Sequence, residues 1–353
     1  MSDIAKIDKN FEVGKSINKE GIRFFDSLDA PFVVSGLMWG EGRFFRMPTE
    51  VAEKVSDGVK GLNFHTAGGR LRFRTNSPYV AISVLYNGVC KMPHFAFSGS
   101  LGFDLYADGV YVKTFMPQIH TEENYEGVID IGAAGTMREI VINFPLYSGV
   151  RSLFVGLDEN AKTEAPTPYV NEKPVVYYGS SITQGGCASR PGTCYQGHVS
   201  RAFNLDYINL GFSGSAKAED TMIEYIKGLD MSLFVYDYDH NAPSADYLAA
   251  THGKMFAAIR EAQPNLPIIM MSRPKANRSE DDQRRLEIIK ENYVRAKALG
   301  DKEVYFLDGD DLTALCGNEG TVDNCHPTDY GFASMAHALI DLIKTSGLLE
   351  KIK

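Results

Sequence analysis

The chain has no positive charge to spare. Its 36 lysines and arginines face 45 aspartates and glutamates, a formal net charge of −9 over 353 residues. That balance gives a phosphate backbone no electrostatic hold, so no nucleic-acid partner is expected. Basic residues do not cluster; Arg70, Arg72 and Arg74 alternate at strand spacing without forming a run. No apolar stretch reaches the roughly 20 residues that a membrane-spanning helix needs. Met1 to Asp8 contain no apolar core of a secretory signal, so the expectation is a cytoplasmic protein with no membrane partner. Cysteine is scarce, at five, an odd number that leaves at least one thiol unpaired. Cys187 with Cys194, and Cys316 with Cys325, are near enough in sequence to pair if oxidised, but reduced thiols are expected in a cytoplasmic setting. Neither CxxC nor HExxH occurs, so no metal site is indicated.

What is present reads as an ordinary globular protein, 44% hydrophobic and 23% charged, long enough for two domains. Residues 1 to about 165 are rich in short strand signals. Gly69–Thr75, Tyr79–Tyr86, Phe103–Ala107, Val110–Phe115 and Arg138–Phe144 all qualify, and Asp108-Gly109 marks a hairpin between two of them. Such a series predicts an all-β sandwich or jelly roll. Ala161–Pro174 has three prolines and no periodicity, which marks a linker. From 175 to 353 strands alternate with amphipathic segments. The strands are Val175–Tyr178, Asp206–Leu210, Leu233–Tyr236, Ile268–Met271 and Val304–Leu307. Alternation of this kind predicts an α/β unit, a parallel sheet with helices on both faces.

Four segments at the carboxyl ends of those strands carry chemistry. Val175–Gly186 runs from a buried strand into a small-residue turn containing Ser180, Ser181 and Thr183. A serine there is lifted out of the core beside backbone N–H groups, although small polar residues are also ordinary turn and cap residues. Asn209–Ser215 is glycine-rich and lets backbone N–H groups approach a ligand. Val235–Pro243 brings together Asp237, Asp239, His240 and Asn241. In Asp323-Asn324-Cys325-His326-Pro327, an aspartate three residues before a histidine can fix the tautomer of the ring. Each signal alone has a plain structural explanation. Together they supply a nucleophile, a base, an orienting acid and oxyanion donors at one sheet edge.

On these residues the C-terminal half resembles the SGNH, or GDSL-type, hydrolase superfamily. Gly179-Ser180-Ser181-Ile182-Thr183, Asn209 to Gly214, Asp239-His240-Asn241 and Asp323 to Pro327 match its four blocks in order. Gly102-Phe103-Asp104-Leu105-Tyr106 resembles the GxDLY signature of a β-rich domain that precedes such esterases, and Phe144-Pro145-Leu146-Tyr147 fits the same context. The resemblance implies a flavodoxin-like catalytic sheet at 175–353 behind an accessory sandwich at 1–165. It implies Ser181 as nucleophile, His326 as general base and then acid, and Asp323 as the residue that orients it. The oxyanion hole would comprise the backbone N–H groups of Ser181 and Gly214 and the side chain of Asn241. The implied substrate is an acyl ester of a glycan or small polyol, with no metal and no organic cofactor.

Ser180 stands where the family has aspartate, and Asp239 where the third block has glycine. Asp239 and Arg190, the latter in the loop after the nucleophile, are candidate substrate contacts. Trp39, Phe95, Phe97 and Tyr195 could stack on a sugar, and His94 and His120 could reach across from the β-rich half. Three other readings compete: a non-catalytic carbohydrate-binding protein, a phosphate binder, and a thiol enzyme built on Cys187 or Cys325. The glycines of Gly179–Gly186 are not followed by the lysine of a P-loop. A homo-oligomer is compatible with the sequence, which does not specify one.

Overall fold

The computed structural model describes residues 17 and 19–353; Met1–Asp8 lie outside the described residues. From residue 22 to 164 the chain builds two large antiparallel sheets and a two-stranded one, Met38–Gly40 with Arg43–Phe45. One large sheet orders strands Ile22–Asp26, Gly149–Asp158, Tyr79–Gly88 and Asn124–Asp130. The other is centred on Arg70–Thr75, Arg138–Asn143, Phe103–Ala107 and Val110–Phe115. Period-two alternation points Val80, Ile82 and Val84 of the first sheet and Leu71, Phe73, Ile140 and Ile142 of the second into one shared core. Three of these long strands, Ile22–Asp26, Asn124–Asp130 and Gly149–Asp158, were not among those expected from the sequence. Two short helices, Thr49–Val55 and Asp57–Leu62, also interrupt the β pattern. The Ser56 hydroxyl caps the second by accepting the Val59 N–H at 3.2 Å.

The remainder is a five-stranded parallel sheet. Its strands are β1 (Val175–Gly179), β2 (Tyr207–Gly211), β3 (Leu233–Asp237), β4 (Ile268–Met271) and β5 (Val304–Leu307), in spatial order 2-1-3-4-5. This is the flavodoxin-like order, with its switch point between β1 and β3. Every residue of β1 is buried because both faces are covered. Val176 and Tyr178 enter a core closed by α3 (Asp220–Lys227), α4 (Ala245–Ala262) and α5 (Glu280–Ala298). Val175 and Tyr177 enter the opposite core, closed by α2 (Tyr195–Phe203) and α6 (Asp329–Thr345). A turn of helix, α1 (Ser181–Gln184), comes directly after β1. No helix among the described residues is long and apolar enough to cross a membrane.

The two halves share their cores. Met47, Ala52 and Val59 pack into the first α/β core, and Phe95, Leu146 and Tyr147 into the second. Asp104 of the GxDLY segment is fully buried and clasps the loop after α1. It accepts from Arg190 Nη1 at 2.9 Å, the Gly192 N–H at 2.8 Å and Asn143 Nδ2 at 2.7 Å.

Candidate active site

The site grows out of the end of β1. Ser180 adopts extended backbone and its hydroxyl accepts the Ile182 N–H at 3.2 Å, capping α1. Ser180 therefore does the capping, and Ser181 is left free of that task. Ser181 starts the helix at the switch point and is 8% exposed. Its Oγ lies 2.9 Å from His326 Nε2. His326 Nδ1 lies 2.7 Å from Asp323 Oδ2. The structure thus aligns hydroxyl, imidazole and carboxylate.

The loop that holds the last two is tightly tied. Asp323 Oδ1 accepts the backbone N–H groups of Cys325 at 3.0 Å and His326 at 2.7 Å. Val322 N–H donates to His326 O at 2.9 Å, and Thr328 N–H to Gly320 O at 2.8 Å. Partial burial pushes the Asp323 carboxyl up, but the donors from His326 and Cys325 outweigh it and hold the group below the usual carboxylate range. It is therefore ionised beside the ring at neutral pH.

The second and third blocks meet at Phe212. Its N–H donates to Gly179 O at 2.8 Å, and its carbonyl accepts from Asn241 Nδ2 at 3.0 Å. One amide hydrogen of Asn241 is used there, so a second remains for a ligand. Gly214, two residues on, has φ +68, with no atom within 4 Å of where a Cβ would stand. Its left-handed backbone is what requires glycine. The Gln184 side chain steadies this loop, accepting the Ser213 N–H at 3.0 Å while its amide meets His65 Nδ1 at 3.0 Å.

Other contributors had no role assigned from the sequence. Arg46 is buried with no carboxylate partner among the described residues. Its guanidinium donates to the carbonyls of Asn209, Gly211 and Leu62 and lies 4.4 Å over the Phe212 ring. Burial lowers its pKa to about 9. The Tyr147 hydroxyl reaches from the β-rich half to donate to Ser181 O at 3.2 Å. Gly186 is hemmed in by Tyr147 Oη at 3.0 Å and His326 Cδ2 at 3.3 Å from a would-be Cβ, which keeps the turn close to the histidine.

Two expected substrate contacts have partners inside the fold. Arg190 is committed to Asp104 and the Tyr106 hydroxyl, with its guanidinium 3.8 Å over the Tyr111 ring, so it joins the two halves. Asp239 is buried under the third block. Its Oδ2 accepts the Arg273 N–H at 3.1 Å and lies 3.4 Å from Arg273 Nε, so the charge is answered inside the fold. Tyr195 and Phe95 are core residues, whereas Trp39 is half exposed. Of the two histidines expected to reach across, His94 does, with its ring centroid 6.1 Å from that of His326; His120 is exposed. All five cysteines carry free thiols. Burial, Asp323 and Cys325 push the Cys187 thiol up to about 12, which keeps it protonated and disfavours a thiol nucleophile there.

Asp237 closes β3 beneath the nucleophile turn. It accepts from the Thr183 hydroxyl and from the Ser180 N–H at 3.4 Å, while its Oδ2 is buried without a partner among the described residues. A Cβ on Gly179 would stand 1.7 Å from Asp237 Oδ1, so glycine is required opposite it. Burial, reinforced by Asp239, pushes the Asp237 carboxyl up to about 8 despite those donors. The folded state thus holds a proton that the unfolded chain releases near pH 4. The stability this confers is complete below about pH 4 and is lost as pH rises towards about 8. Asp237→Asn is expected to flatten that fall, seen as a smaller difference in urea midpoint between pH 5 and pH 8 than in wild type.

The comparisons agree with this architecture. Residues 172–344 match the model of the GDSL-like Lipase/Acylhydrolase family, and residues 22–163 match the "N-terminus of Esterase_SGNH_hydro-type" model, GxDLY. A crystal structure described as a GDSL-like lipase from Bacteroides ovatus ATCC 8483 is similar at 28% identity and TM-score 0.81, covering 94% of this chain and 99% of that one. The salicylyl-acyltransferase SsfX3 from a tetracycline biosynthetic pathway shares the fold at 21% identity and TM-score 0.77, covering 95% and 100%. A family two carbohydrate esterase from Clostridium thermocellum does so at 13% identity and TM-score 0.62, covering 90% and 99%. No curated protein sequence matches. With both family models matched in order along one α/β and β-rich chain, the protein belongs to the GDSL-like lipase/acylhydrolase family and is a carboxylic-ester hydrolase with a GxDLY-type N-terminal region.

Proposed function

We propose that the protein is a serine esterase that removes short acyl groups, acetyl foremost, from a carbohydrate or small polyol through an acyl-enzyme. The observation that carries this reading is the 2.9 Å contact of Ser181 Oγ with His326 Nε2, continued at 2.7 Å to Asp323. His326 takes the proton of Ser181 as Oγ attacks the ester carbonyl. The carbonyl oxygen becomes an oxyanion held by the N–H groups of Ser181 and Gly214 and the free amide hydrogen of Asn241. The protonated ring then gives its proton to the departing alcohol. Water repeats the sequence with the roles reversed and releases the acid.

A short acyl group suits a nucleophile that is only 8% exposed. The carbohydrate assignment rests on the two-part layout shared with the carbohydrate esterase named above. Hydrolysis of p-nitrophenyl acetate, butyrate and octanoate, together with acetate release from an acetylated xylo-oligosaccharide, tests the reading. The expected result is kcat/KM falling with acyl length and acetate released from the sugar. A preference for octanoate would contradict the acyl assignment. Binding of the oligosaccharide without release of acetate would favour a non-catalytic carbohydrate-binding protein.

A further inference from the structure

Beside the proposed catalytic histidine stands a donor set that ester hydrolysis does not use. One donor atom each from His94, Cys187 and His326 lie within 4.8 Å of one another. They come from three separate segments. His94 precedes Phe95, whose buried ring packs edge-on against Tyr147 at 5.1 Å and so anchors the loop next to the nucleophile turn. Cys187 closes that turn and holds φ +75, a left-handed conformation at which any side chain carries a cost. His326 comes from the loop before α6.

The chemistry of two imidazoles and a thiol is that of a zinc ligand set. Tetrahedral zinc with bonds of about 2.0–2.3 Å places its donors roughly 3.3–3.7 Å apart. Donors that now lie within 4.8 Å of one another close to that size with shifts of about 1 Å, and one of the three residues, His94, is exposed. Histidines that bind zinc commonly give their other ring nitrogen to a carboxylate, which fixes their orientation. Asp323 already does this at His326 Nδ1, at 2.7 Å. The nitrogen left to a metal is Nε2, the same one that faces the Ser181 hydroxyl.

We propose that His94, Cys187 and His326 form a site for a divalent zinc-like cation, and that filling it switches the esterase off. On binding, Cys187 releases its proton to solvent and coordinates as thiolate, while both histidines coordinate as neutral rings. The metal occupies the lone pair of His326 Nε2, so the ring cannot accept the Ser181 proton. The inhibitory half rests on His326 being the base; the binding half does not.

The test uses the full chain, stripped with a chelator. Cobalt(II) is titrated as a spectroscopic probe for a thiolate–metal absorption band, and zinc is titrated against p-nitrophenyl acetate hydrolysis. Wild type is expected to show the band, to lose activity as zinc saturates, and to recover with chelator. His94→Ala removes an exposed ligand, and the zinc concentration for half-inhibition, read against the variant's own rate without metal, is expected to rise at least about tenfold. Cys187→Ser is expected to abolish the band. Absence of the band in wild type, or equal zinc inhibition in wild type and both variants, would overturn the site. A band accompanied by undiminished hydrolysis would overturn the switch and count against His326 as the base. If no ester is hydrolysed at all, the cobalt band still decides the site by itself.

Discussion

Ser181→Ala is expected to lower kcat for p-nitrophenyl acetate by about a millionfold, the scale at which loss of a serine nucleophile in a preformed triad is felt. The effect is chemical because the hydroxyl has no structural task. The cap of α1 is supplied by Ser180. The backbone carbonyl of Ser181 keeps its donors, the N–H groups of Gly185 and Gly186 and the Tyr147 hydroxyl, whatever the side chain. The thermal midpoint is therefore expected to stay close to that of wild type. A residual rate over water of about 10³–10⁴ would reflect the remaining oxyanion donors and binding. Steady-state kinetics with a thermal melt on the same preparation check both halves of this expectation.

Asp323→Asn is the second large effect, about 10⁴ in kcat with little change in KM. Asparagine can keep its carbonyl oxygen where Oδ1 now accepts from Cys325 and His326, so the loop is preserved. At Oδ2 the exchange turns an acceptor into an amide donor facing His326 Nδ1. The ring then favours its proton on Nε2, the nitrogen that must be bare to receive the Ser181 proton. The side chain of Asp323 is 37% exposed, so its loss should cost stability modestly. Asp323→Ala removes the two backbone acceptors as well and should lower the thermal midpoint further. A pair of variants equal in kcat and unequal in melting temperature would separate ring orientation from loop structure.

How much of the fold and site is legible in the sequence depends on range along the chain. The five parallel strands and their helices are readable because each carries its own periodicity; β4 and β5 have the expected ends. The four blocks are readable because a parallel sheet gathers the loops after its strands at one edge. The order 2-1-3-4-5 follows only from the resemblance to a flavodoxin-like sheet and not from local periodicity, since it is fixed by pairing between distant segments. For the same reason Arg46, the contact of Tyr147 with Ser181 and the pairing of Gln184 with His65 are not readable. Each reaches the site across more than 30 residues of chain. Arg190 and Asp239 mislead in the opposite sense. A charge beside a site resembles a ligand contact until its partner is known, and those partners lie 86 and 34 residues away. Thr49–Val55 and Asp57–Leu62 escape notice because their helices are short and are stabilised by packing Ala52 and Val59 onto the α/β core.

The most direct measurement is to find the atom that becomes acylated. The full-length protein is treated with a fluorophosphonate, digested and mapped by mass spectrometry, with Asp323→Asn treated in parallel. The account predicts one adduct per chain, on Ser181, forming far more slowly in the variant. An adduct on Cys187, Cys325 or another serine, or a Ser181 adduct that forms equally fast in the variant, would contradict it.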